Sequence, residues 1–143
     1  PTLVRWYNNG NCGIQKLNNK ERKIRAFYKK VLRLCNGEKA ISEGAFFDLM
    51  YVNYHNLNPN KQYLYLRHYE NETLLIAVNF DSQDATVYAD IPQHAFDFLK
   101  IDSGTYFMKE LISGKQKTVE FSSNAKFELH IPAHNGVVWK IVK

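Results

Sequence analysis

The strongest constraint on this chain is a change of hydrophobic period near residue 44. Upstream, Ile24, Phe27, Tyr28, Val31, Leu32, Leu34 and Cys35 share one arc at helical spacing. Arg22, Arg25, Lys29 and Arg33 take the opposite side, with Lys23 and Lys30 flanking. That pattern predicts one amphipathic helix over 20–36, capped by Asn18 or Asn19 and ended by Asn36-Gly37. Residues 1–19, rich in Asn and Gly, are expected to be loop-like, with Trp6 and Tyr7 as apolar anchors. Downstream the apolar residues alternate with period 2, which predicts strands over 45–52, 62–69, 73–80, 84–91, 105–111, 116–122, 125–131 and 136–142.

Phe127, Leu129 and Ile131 against Lys126, Glu128 and His130 give the cleanest one-face-buried strand. Leu74-Leu75-Ile76-Ala77-Val78 is apolar throughout and predicts a central strand. Turn formers separate the runs at 58–60, 70–72, 81–82, 113–115, 122–124 and 134–136. Residues 92–99 are expected to form a short helical turn. About eight short strands at this spacing imply an antiparallel sandwich or barrel, and the fold expected is a mainly β, two-sheet antiparallel sandwich preceded by one amphipathic helix. Two segments follow: 1–37, loop plus helix, and 38–143, sandwich.

The net charge of +5 hides an asymmetry. Residues 1–37 hold nine Lys/Arg against Glu21 alone, and residues 38–143 hold ten against thirteen acids. The folded body is thus acidic, which argues against a nucleic-acid partner. No apolar run is long enough to span a membrane, and no signal-peptide pattern is read at residues 1–20, so the compartment stays open. The start at Pro1-Thr2-Leu3, without an initiator Met, is what an excised piece of a longer chain would give. Cys12 and Cys35 lack metal-ligand spacing, and Cys35, on the apolar arc, reads as a buried free thiol.

No catalytic constellation, cofactor motif or metal-ligand spacing is found. His55, His68, His94, His130 and His134 read as surface or turn residues. Asp81 with Asp84, or Glu70 with Glu72, are the available carboxylate pairs for glycoside hydrolysis, but they fall in turns where such residues are ordinarily solvated. Sugars stack on exposed aromatic faces, which makes Tyr63 and Tyr65 the candidate substrate-binding residues. They alternate with Leu64 and Leu66, so one pair faces outward, and cross-strand packing explains an outward tyrosine pair equally well. Trp139 shares its parity with Val137 and Ile141 and is expected in the core.

The stretch Ile24-Arg25-Ala26-Phe27-Tyr28-Lys29-Lys30-Val31-Leu32-Arg33-Leu34 resembles the last barrel helix of glycoside hydrolase family 13, the alpha-amylase family. Ala40-Ile41-Ser42-Glu43-Gly44-Ala45-Phe46-Phe47-Asp48-Leu49, Tyr63-Leu64-Tyr65-Leu66-Arg67, Leu74-Leu75-Ile76-Ala77-Val78-Asn79-Phe80 and residues 129–138 resemble, in order, the phrases that follow that helix. The resemblance covers roughly residues 20–140. It implies that residues 1–37 are the remnant of the end of a (β/α)8 barrel and that 38–143 is the C-terminal sandwich that stabilises it. The family's catalytic Asp and Glu residues precede the last helix, so no residue here inherits a catalytic role.

The expected function is therefore a non-catalytic accessory domain of an alpha-amylase-like glycosidase acting on alpha-glucans. The alternatives are a starch- or glucan-binding module, or an unrelated adhesion or interaction sandwich. The expected partners are the missing catalytic barrel, an alpha-glucan held weakly, and a second copy paired weakly through the helix. An isolated helix of this length is marginal in water. Phe27, Tyr28 and Val31 are accordingly expected to pack on something, with docking on the sandwich favoured.

Overall fold

The period-2 segments pair into two antiparallel sheets in the computed structural model, which describes residues 2–123 and 125–143. Pro1 and Asn124, the last residue of the expected 122–124 turn, lie outside the described residues. The strands are β1 (Ala45–Asp48), β2 (Gln62–Tyr69), β3 (Glu72–Asn79), β4 (Ala85–Asp90), β5 (Gly104–Glu110), β6 (Gln116–Phe121), β7 (Lys126–Ile131) and β8 (Asn135–Val142). One sheet has the order β1-β2-β3-β8-β5-β6, and the other pairs β4 with β7. The expected sandwich is present. The helices are α1 (Thr2–Tyr7), α2 (Asn19–Gly37), α3 (Lys39–Ser42), α4 (Met50–Asn53) and α5 (Gln93–Leu99). No helix among the described residues is long and apolar enough to cross a membrane.

The chain divides into two compact units, Pro1–Gly37 and Glu38–Lys143. In the first, the expectation of a loop over residues 1–19 is corrected. Thr2–Tyr7 is helical, and a 3-10 turn at Asn8–Gly10 follows. The turn formers mark where α1 ends, with Asn8, Asn9 and Gly10 all at positive φ, a region that Asn and Gly tolerate best. Six residues, fewer than two helical turns, are too few to display a period. The cap of α2 is a reciprocal box. Asn18 Oδ1 accepts the Glu21 N–H at 2.9 Å, and Glu21 Oε2 accepts the Asn18 N–H at 2.9 Å. Arg5 pairs with Glu21, and Arg22 donates to the Leu17 and Gln15 carbonyls. No residue of α2 is buried, and Ile24, Phe27, Tyr28 and Leu32 are exposed.

In the second unit, the inward residues of both sheets interdigitate as in any aligned sandwich. Leu64, Leu66, Leu75, Ala77 and Ile141 of the large sheet meet Val87, Ala89, Phe127, Leu129 and Ile131 of the small one. Phe121 sits among Phe96, Tyr106 and Phe127 with ring centroids 5.1–5.6 Å apart. β3 is buried on both faces, as its unbroken apolar run predicts. The expected strand 45–52 is shorter than read. Asp48 Oδ1 accepts the Met50 N–H at 2.8 Å, and this local bond turns the chain into α4.

Buried polar side chains join the layers, and each has its partners. Asn79, at the end of β3, donates to Gln83 O (2.8 Å) and reaches Ile131 O (3.3 Å), while its own oxygen accepts from Gln62 Nε2 (2.9 Å) and Asp81 N (3.0 Å). Asn53 on α4 donates to Leu49 O and Asp90 O and accepts the Asp90 N–H, all within 2.8–2.9 Å. Glu110 is almost wholly buried and accepts the N–H groups of Ile112 and Val138 at 3.0 Å and that of Ser113. Burial raises its pKa, but the hydrogen bonds from Ser113, Val138 and Ile112 outweigh burial and hold it below the ordinary 4.5.

The entry to the sandwich is clamped. Arg67 donates to Ala40 O (2.9 Å) and Ile41 O (2.7 Å), and Glu72 accepts the Ala40 N–H (3.0 Å). Lys140 bridges Glu38 (2.6 Å) and Glu72 (2.9 Å). At Gly44, a Cβ would stand 2.4 Å from Ala40 O and 2.7 Å from His68 O, both backbone atoms, so only glycine fits.

Two outcomes are expected. Asn79→Ala should lower the free energy of unfolding by about 3 kcal/mol, because its partners are left buried and unpaired; a loss under about 1 kcal/mol in urea denaturation contradicts the stapling role. Glu110, with a depressed folded pKa, contributes stability that is present above pH 4.5 and lost as pH falls through its lower folded value. The gap in Tm between wild type and Glu110→Gln should therefore narrow on going from about pH 6 to about pH 3. A constant gap contradicts it.

Candidate functional site

The tyrosine pair faces outward. Leu64 and Leu66 fill the core, which leaves Tyr63 (37% exposed) and the half-buried Tyr65 on the outer face of the large sheet. Their ring centroids lie 5.6 Å apart at 45°, and Phe46 (46% exposed) extends the row, 5.4 Å from Tyr65 at 39°. Register puts Tyr65 opposite Ile76, and Ile76 opposite Val138, so two largely buried aliphatics adjoin the rings. Phe80, next in the outward parity of β3, is 68% exposed. Partial burial first, then the Asp48 carboxylate and Tyr54, hold the Tyr63 phenol above its ordinary pKa of 10. The same face carries Asp48 on β1 and, in the same outward parity, Arg67, Glu72 and Lys140 of the α3 clamp.

Trp139 points inward with Val137 and Ile141 and packs on the core, but it is only partly buried. Lys117 Nζ stands 4.7 Å from its ring centroid, a cation–π contact that closes the sandwich edge.

The carboxylates once considered for chemistry have structural partners. Asp81 pairs with Lys61 at 2.8 Å, and that bond holds its pKa below the usual range. Asp84 accepts the Ala133 N–H at 2.8 Å and lies 3.6 Å from His130. Glu72 belongs to the α3 clamp, and Glu70 is an exposed turn residue at positive φ. Among the described residues, no three of His, Cys, Asp and Glu converge as a metal site would need.

A second group of rings escaped the sequence reading. Tyr51 on α4, His94 and Phe98 on α5 and Phe47 on β1 come together at the sheet edge. Phe47 lies 5.2 Å from His94 and 5.9 Å from Phe98, and the Tyr51 hydroxyl is hydrogen-bonded to His94 Nε2. These residues are spread over three elements, and no periodicity joins them. Only the consecutive Phe46-Phe47, which must point to opposite faces of a strand, hinted that both sides of β1 are aromatic.

No family model matches the chain, and no curated protein matches it. Solved structures do. An alpha-amylase from Anoxybacillus matches at 19% identity and TM-score 0.56 over 82% of this chain and 22% of that one. AmyP, solved in complex with maltose, matches at 15% identity and TM-score 0.64 over 90% and 23%. The alpha-amylase of Geobacillus thermoleovorans, complexed with acarbose, matches at 15% identity and TM-score 0.62 over 93% and 24%. The chain thus shares its fold with a region of alpha-amylase enzymes and spans less than a quarter of their length.

The outward assignment predicts a contrast between neighbours on β2. Leu66→Ala should cost about 3 kcal/mol of stability and Tyr63→Ala under about 1.5 kcal/mol. Equal losses in thermal or urea unfolding would place Tyr63 in the core instead.

Proposed function

We propose that this chain is the C-terminal accessory region of an alpha-amylase-like glycoside hydrolase acting on alpha-glucans, and that its sandwich stabilises a catalytic barrel carried by the same polypeptide. One observation carries the reading: the outer face of the large sheet exposes Phe46, Tyr63 and Phe80 around Ile76 and Val138. Several exposed apolar side chains gathered on one sheet face suit a protein interface. The shared fold with part of much longer alpha-amylases supplies the occupant, a barrel. Maltose and acarbose, bound in two of those structures, give the substrate class.

The +8 charge of residues 1–37 makes two such segments repel, so pairing of copies through α2 would be weak.

The test is the coding sequence upstream of Pro1. A (β/α)8 pattern carrying the Asp and Glu motifs of the alpha-amylase family supports the reading, and an initiator codon directly before Pro1 overturns it. The 143-residue chain by itself should release no reducing sugar from starch, maltooligosaccharides or chromogenic glucosides. Turnover that survives repurification and is abolished by an Asp or Glu substitution would refute that expectation.

A further inference from the structure

We infer that Lys117 guards the open edge of the large sheet: turned inward from β6, its ammonium keeps a strand of another chain from pairing there. The inference does not depend on the proposed function.

Strand β6 is the last strand of the large sheet. At the sheet's other end α5 lies against β1, where Phe47 meets His94 and Phe98. In the small sheet, Asn53 takes both backbone groups of Asp90 on β4. Nothing comparable covers β6. Among the described residues, Gln116–Phe121 makes no backbone hydrogen bond beyond its pairing with β5. The Glu110 N–H donates to Lys115 O at 2.8 Å, and the antiparallel alternation runs on from that bond. Lys117, Val119 and Phe121 are then the hydrogen-bonded partners of β5, and the N–H and C=O groups of Gln116, Thr118 and Glu120 point away from it. Such a row is a template for strand addition.

The side chain of Lys117 opposes that addition. Register sets it opposite Met108, which is wholly buried, so it enters the space between the sheets. There its Nζ stands 4.7 Å from the Trp139 ring centroid and donates to Glu128 O on β7 at 3.4 Å. Val119 and Phe121 share that inward parity and are apolar, so Lys117 is the one charge on the inner side of β6. An ammonium has three donors, and one carbonyl and a ring face leave it dependent on water. Lys117 is only partly buried, and the side left open is the one where β6 ends the sheet. A strand added to β6 would close that side and leave the charge between two layers without a counter-ion, which costs more than a shielded edge gains. Burial already lowers the Lys117 pKa from 10.5, against the pull of the Glu128 carboxylate. A methionine there would carry no such penalty.

The experiment is sedimentation velocity on the whole chain over a concentration series. Lys117→Met keeps the length of the stem and removes the charge. It should self-associate about tenfold more tightly than wild type, with Tm within about 3 °C. Lys117→Arg keeps the charge and should match wild type. Thr118 is exposed, and Thr118→Pro removes one outward N–H. Added to Lys117→Met, it should return association to the wild-type level. Any association through α2 or the outer sheet face is common to all four proteins and cancels in the comparison. Folded Lys117→Met that associates no more than wild type overturns the inference. Association that survives Thr118→Pro, or that Lys117→Arg shows equally, overturns it too. If Lys117→Met fails to fold, Lys117→Gln, uncharged yet able to donate to Glu128 O, decides by the same readings.

Discussion

Asn79 is the point on which the sandwich turns. Strand β3 is central in the large sheet and buried on both faces, and Asn79 at its end is buried too. One side chain closes that end. It takes hydrogen bonds from Gln62 on β2 and Asp81 in the following turn, and gives them to Gln83 and to the last carbonyl of β7. The two sheets are thereby registered at this edge, and an apolar residue of the same size would leave those groups unpaired in the interior. Asn53 does the same between α4 and β4, and Glu110 does it for the turn after β5. The hydrophobic core supplies most of the driving force, but these three polar residues select one arrangement of it.

The strands were readable because burial on one face writes period 2 into the sequence, and the long helix because an apolar arc writes a period of 3.6. The 122–124 turn was readable in part, Ser122 and Ser123 falling within the described residues. Among the short helices, α5 (Gln93–Leu99) was legible as the helical turn expected over 92–99, and the others were not. α1, α3 and α4 have four to six residues each; local hydrogen bonds from Asp48 and Asn53 fix α4, and bonds from the distant Arg67 and Glu72 fix α3. Asn79-Phe80 was noticed as a phrase, yet nothing in the sequence says that the Asn is a staple and the Phe is exposed. The orientation of Tyr63 and Tyr65 needed the burial of Leu64 and Leu66 to settle it, and the ring cluster at Tyr51, His94 and Phe98 needed three dimensions.

The functional account follows from two faces of one edge strand. Phe46 points to the outer side of the large sheet, into an aromatic and aliphatic surface suited to a protein. Phe47 points to the other side, where it meets His94 and Phe98 of α5. The carboxylates that might have suggested hydrolysis are held by Lys61, the Ala133 amide and Lys140, in roles that stabilise turns and the α3 clamp.

Hydroxyl-radical footprinting, read residue by residue, tests the central claim most directly. It would compare this chain with the barrel-bearing polypeptide proposed above. The account predicts that Phe46, Tyr63 and Phe80 are oxidised readily here and protected in the longer polypeptide, with Tyr51 and Phe98 oxidised equally in both. Equal oxidation of Phe46, Tyr63 and Phe80 in the two would contradict a docking face on the outer sheet.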